Sequence, residues 1–117
     1  MTTPLKIDAH TEDDDTAVLC LAGEVDVANA GHVRDAALKL MSDSVKHLIV
    51  DLNATEYMDS TGLGTLVGLL KRMKESGGEV LIAAAQPRVK RLFEITGLNQ
   101  VFRIYEDVAA ALKEVRG

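Results

Sequence analysis

Two stretches of the chain, Thr16-Ala-Val-Leu-Cys-Leu-Ala22 and His47-Leu-Ile-Val-Asp-Leu52, are apolar at nearly every position. A strand with one face in water alternates polar and apolar residues, whereas a near-continuous apolar run belongs in a sheet covered on both faces. Each run leads toward a segment with helical periodicity. Strands that alternate with helices call for right-handed crossovers and a largely parallel sheet. At 117 residues the chain has the length for one domain and one core.

The other elements fill in this frame. Leu5 to His10 alternates strictly, with Leu5, Ile7 and Ala9 on one face and Lys6, Asp8 and His10 on the other, as a half-exposed edge strand does. Thr11-Glu-Asp-Asp-Asp15 is the turn that joins it to the next strand as a hairpin. Its acidic run reads as a solvated loop, because it lacks the ligand spacing of a metal site. Gly23-Glu-Val-Asp26 ends the second strand. Asp26 or Asn29 then caps a helix whose buried stripe is Ala30, Val33, Ala37, Leu40 and Met41.

After the strand at 47–52, the polar segment from Asn53 to Asp59 reads as a connection. A long helix starts at Ser60, and Ser76-Gly-Gly78 stops it. On that helix Leu63, Leu66, Val67 and Leu70 share the face that packs on the sheet, and Leu69 falls off it as an exposed leucine or a partner contact. Glu79 to Ala85 is the next strand. Pro87 opens a short helix at a tolerated first-turn position, with Val89, Leu92, Phe93 and Thr96 inward and Gly97 as its stop. Val101 to Tyr105 is the last strand. Asp107 caps a terminal helix with Val108, Ala111, Leu112 and Val115 inward.

The predicted order is β-β-α-β-α-β-α-β-α. It describes an α/β fold with an N-terminal hairpin and a mostly parallel mixed sheet with helices packed on it. Sites in such folds gather beyond the carboxyl ends of the strands. Gly23-Glu-Val-Asp26 and Met58-Asp-Ser60 both fall there and are expected side by side.

Ser60 stands at the start of the long helix, between Asp59 and Thr61. A hydroxyl at that position can cap free backbone N–H groups. The same N–H groups and the helix dipole favour an anion, so a phosphate attached at Ser60 would be tolerated there. A phosphorylation switch is the chemistry this arrangement points to.

Rival chemistries fit poorly. Gly62, Gly64 and Gly68 follow a strand and open a helix, but the third glycine is one residue late for a dinucleotide fingerprint, and no Gly-Lys-Ser/Thr pair exists for a P-loop. These glycines are expected to let the helix sit close to neighbouring backbone. A nucleophile elbow around Ser60 would need glycine where Met58 stands. His10, His32 and His47 are scattered over a strand, an outer helix face and a strand start, so none is placed as a base or metal ligand. Arg88, Lys90 and Arg91, with Lys71, Arg72 and Lys74, read as solvated helix faces.

A net charge of -5 and 3% aromatic residues argue against direct nucleic-acid binding. The one cysteine, Cys20, excludes an internal disulfide and reads as a buried structural thiol. No N-terminal stretch has the form of a signal peptide, and no apolar run approaches the length of a membrane span. A cytoplasmic protein with no membrane association, no metal and no cofactor is expected.

The motif Met58-Asp-Ser-Thr-Gly-Leu-Gly64 resembles that of the STAS-domain anti-sigma factor antagonists of bacteria. The resemblance extends over Gly23-Glu-Val-Asp26, His47-Leu-Ile-Val-Asp-Leu52, Gly77-Gly78 and Pro87 to Leu98. It implies one STAS domain over 1–117 that catalyses nothing and acts by switching partners. The dephosphorylated form would bind an anti-sigma factor that is also a serine kinase, freeing the sigma factor. Phosphorylation by that kinase would release the complex, and a PP2C-type phosphatase would restore it. The acceptor implied is Ser60, with Thr61 as the alternative. The partner-binding surface implied comprises Glu24, Asp26, Asp59, Thr61 and the turn of Gly62, Leu63 and Gly64. A STAS subunit of a larger sensory or transport complex is the alternative within the fold, and a small-molecule or nucleotide-binding module the alternative outside it.

Overall fold

The computed structural model describes residues 3–42 and 44–117. In chain order it contains β1 (Lys6–Thr11), β2 (Thr16–Val25), α1 (Ala30–Leu40), β3 (His47–Asp51), β4 (Thr55–Met58), α2 (Ser60–Glu75), β5 (Glu79–Ala83), α3 (Pro87–Ile95), β6 (Arg103–Tyr105) and α4 (Val108–Arg116). The main sheet has the order β1-β2-β3-β5-β6. β1 is an antiparallel edge strand, and the other pairings are parallel. The hairpin, the alternation and the parallel sheet all follow the apolar pattern of the sequence.

The two apolar runs are the centre of the sheet. Leu19 and Leu21 on β2 and Leu48 and Val50 on β3 share a core with α1, α2 and α3 on one face. Val18, Ile49 and Leu81 belong to a second, smaller core on the other face, which α4 closes with Ala111. At about 25 cal/mol per Å² of apolar surface removed from water, burial on both faces makes each of these runs a large contributor to stability. Phe93 of α3 meets Phe102, just before β6, edge to face at 5.6 Å. Asp107 caps α4 as expected, its Oδ1 accepting from Ala110 N–H at 2.7 Å.

Several expectations need correction. The segment from Asn53 to Asp59 is not a plain connection, because Thr55–Met58 forms β4. β2 does not end at Ala22 either. It continues to Val25 and pairs in parallel with β4, Glu24 opposite Tyr57 and Val25 opposite Met58. The register shifts at Gly23, whose φ of 97° is open to glycine and costly for other residues. β3 pairs along the first part of β2 and β4 along the last. β4 buries Thr55 and Met58 but exposes Glu56 and Tyr57. It therefore shows neither a continuous apolar run nor a strict alternation, and only its pairing with β2 makes it a strand.

Leu69 is not exposed but 2% accessible. α2 packs on α1 as well as on the sheet, so a second flank of the helix is covered. Leu40 at the end of α1 and Met41 just after it are half-buried, and Thr96 is exposed, its hydroxyl donating to Leu92 O instead of packing inward. β5 stops at Ala83, and the last strand starts at Arg103 instead of Val101, because Val101 and Phe102 form a turn that follows a short 3-10 helix at Leu98–Gln100. Cys20 is only half-buried. Among the described residues no helix is long and apolar enough to cross a membrane.

Candidate functional site

β2 and β4 run side by side and end together, and this brings Gly23-Glu-Val-Asp26 next to Met58-Asp-Ser60. Asp59 N–H donates to Val25 O at 3.1 Å. That bond carries the pairing of the two strands to its last residue and fixes where α2 begins.

The cap of α2 is Asp59, not the Ser60 hydroxyl. Asp59 has an extended backbone and its Oδ1 accepts from Gly62 N–H at 2.9 Å. Such a cap contributes about 1 kcal/mol. Ser60 is the first helical residue, and both it and Thr61 are exposed. The second carboxylate oxygen of Asp59 reaches the neighbouring segment and accepts from Val27 N–H at 3.1 Å. One side chain thus holds two parts of the chain that are far apart in sequence.

The segment before α1 is knitted by its own polar groups. Asp26 Oδ1 accepts from Ala28 N–H at 2.9 Å. Asn29 Oδ1 accepts from Asp26 N–H at 2.9 Å, and Asn29 Nδ2 donates to Glu24 O at 2.8 Å. Asn29 occupies the N-cap position of α1 but makes no capping bond to that helix, because its side chain is spent on this loop. Glu24 accepts from Thr3 N–H at 3.0 Å. Val27, at the tip, is 74% accessible.

The residues expected to form a partner surface do not all reach it. Glu24, Asp26 and Asp59 are half-buried, and Thr61 and Gly64 are exposed. Gly62 and Leu63 are buried beneath them, within α2 and not in a turn. A Cβ on Gly62 would stand 2.8 Å from Val25 Cγ1 and 2.9 Å from Met58 Cγ, so glycine is what lets the helix start sit against β2 and β4. Gly64 and Gly68 differ. A Cβ on either would meet nothing within 4 Å, so the expected close approach does not hold for them. They face an open groove of ≈ 580 Å³ between α1 and α2, bordered by Thr61, Leu38 and Arg34. Val27 and Tyr57, also exposed, were missed in the sequence. Their signal was a large apolar residue beside the acidic motif.

No catalytic pair forms around Ser60 among the described residues. His10 bonds Glu12 at 2.9 Å, His47 bonds Glu79 at 2.8 Å, and His32 lies exposed on α1. No group of three or more His, Cys, Asp or Glu residues is placed to hold a metal ion among the described residues. What the arrangement offers is an acidic surface with two exposed hydroxyls, Ser60 and Thr61, at a helix start on an α/β scaffold.

Comparison with known proteins places the fold in a family. The chain belongs to the STAS-domain family, whose domain model matches residues 6–111. An anti-sigma-B factor antagonist of Staphylococcus aureus is 35% identical over 102 residues, covering 87% of this chain and 94% of that protein. The crystal structure of an anti-sigma factor antagonist from Mycobacterium paratuberculosis superposes with a TM-score of 0.88 at 27% identity, covering 100% of both chains. SpoIIAA, an anti-sigma factor antagonist from Bacillus, shares the fold in its unphosphorylated form, with a TM-score of 0.83 at 22% identity over 96% of this chain and 97% of that one. Its phosphorylated form superposes with a TM-score of 0.76 at 20% identity, over 94% and 99%.

Proposed function

We propose that this chain is an anti-sigma factor antagonist that works as a phosphorylation-switched binding module. In the unmodified state it binds an anti-sigma factor with serine kinase activity and so frees the sigma factor. Transfer of phosphate to Ser60 ends that binding, and a PP2C-type phosphatase restores it. The observation that carries the reading is the exposed Ser60 hydroxyl at the first position of α2, beside the acidic end of β2 and β4. The naming of the Staphylococcus relative and the phosphorylated form of SpoIIAA support it.

The physics of the switch is electrostatic and steric. A phosphate adds about -1.5 to -2 charges and its own bulk at one point. Beside Asp59, and on the surface that also carries Glu24 and Asp26, it would deepen a negative patch that the partner must meet. The N-terminus of α2 offsets part of that charge inside the domain. Docking is therefore lost while the fold stays.

Affinity capture with the wild-type chain, Ser60→Ala and Ser60→Asp tests this, followed by incubation of the captured kinase with ATP and phosphopeptide mapping. A serine kinase retained by the first two and lost with the third, with label on Ser60, is the expected result. Equal capture by all three, or label confined to Thr61, would overturn the assignment.

A further inference from the structure

Asp59 is the side chain that joins the start of α2 to the loop carrying Val27. Its Oδ1 takes Gly62 N–H at 2.9 Å and its Oδ2 takes Val27 N–H at 3.1 Å. The loop on the far side is a compact unit, because Asp26 and Asn29 satisfy each other's backbone and that of Ala28 and Glu24. At its tip Val27 presents 74% of its surface to solvent, held in place by its own N–H.

We infer that Asp59 is a positioning residue that transmits the state of Ser60 to the Val27 loop. A negative group added on Ser60 repels the adjoining carboxylate and competes with it for the N–H groups of the first turn of α2. The carboxylate then gives up its hold on Val27 N–H, and the apolar tip is released. The partner surface is altered at a second place, away from the phosphate itself. This inference rests on Ser60 as the modified residue. The tie between α2 and the loop can be tested without any partner.

The experiment is amide hydrogen exchange by NMR on the isolated full chain, as wild type, Asp59→Asn, Asp59→Ala and Ser60→Asp. An asparagine has one acceptor oxygen where aspartate has two, so Asp59→Asn keeps one tie and loses the other. In Asp59→Ala both Gly62 and Val27 should lose about tenfold in protection, the scale of one lost hydrogen bond to a charged group. In Asp59→Asn one of the two amides should lose it. In Ser60→Asp the loss should appear at Val27, with the central strands unchanged. Should Asp59→Ala fail to fold, an Asp59→Asn variant that loses protection at neither Gly62 nor Val27 would overturn the tie, and Ser60→Asp still decides the transmission. Unchanged protection of Val27 in both Asp59→Ala and Asp59→Asn would overturn the tie. Unchanged protection of Val27 in Ser60→Asp, with capture of the kinase nonetheless lost, would overturn the transmission and leave the proposed switch standing.

Discussion

Cys20 lies on the sheet face that α4 covers, with its Sγ 3.6 Å from Asp51 Oδ2. Partial burial, then the charges of Asp51 and Asp8, push its thiol up from an ordinary 9.0 to about 11. The neutral thiol is therefore favoured in the folded state. Its contribution to stability is present below pH 9 and is lost as pH rises through 9 toward 11. Alkylation rates measured against pH should show an inflection near 11 in the native protein, and one near the ordinary value after unfolding. A native inflection near 9 would contradict the assignment of these neighbours. The residue scale also shows where reading the sequence stops. The motif Asp59-Ser60-Thr61 marked a helix start, but aspartate and serine are equally good caps. The choice between them is made by Val25 O, which takes Asp59 N–H and sets the register of the chain one residue before Ser60.

At the scale of elements, α2 carries three glycines with opposite roles. Gly62 is fitted against Val25 and Met58, so a methyl group there forces side chains aside. Gly62→Ala should cost about 1–3 kcal/mol. Gly64 and Gly68 have open space above them, and alanine there should stabilise the helix by about 0.5–1 kcal/mol each. Thermal denaturation of the three variants checks this. A stabilised Gly62→Ala or a destabilised Gly68→Ala would contradict the packing described. Periodicity alone does not separate these positions. It places Leu63, Leu66 and Leu70 correctly, because the sheet-facing stripe repeats with the helix. It fails at Leu69 because the second cover of α2 is α1, which lies far away in sequence. β4 escaped for the same reason: its four residues are strand only in the company of β2.

For the whole molecule, the sheet and its two cores are anchored by β2, β3 and β5, whose side chains Leu19, Leu48, Ile49 and Ile82 are fully buried. Ser60 and the Val27 loop stand at one end of this sheet, outside both cores. A charge added at that end lies away from the side chains that hold the domain together. This separation made the fold legible in the apolar runs, while the site was marked only by its acidic and hydroxyl residues. Val27 and Tyr57, exposed at the same end, follow no period and are exposed by tertiary placement alone. The central claim is that phosphate on Ser60 controls binding while leaving the fold intact. Its most direct test is calorimetric titration of the captured serine kinase with unmodified and with Ser60-phosphorylated protein, with far-UV circular dichroism on both. The account predicts affinity at least about tenfold weaker for the phosphorylated form, with superimposable spectra. Equal affinities, or weaker binding accompanied by loss of the sheet signal, would contradict it.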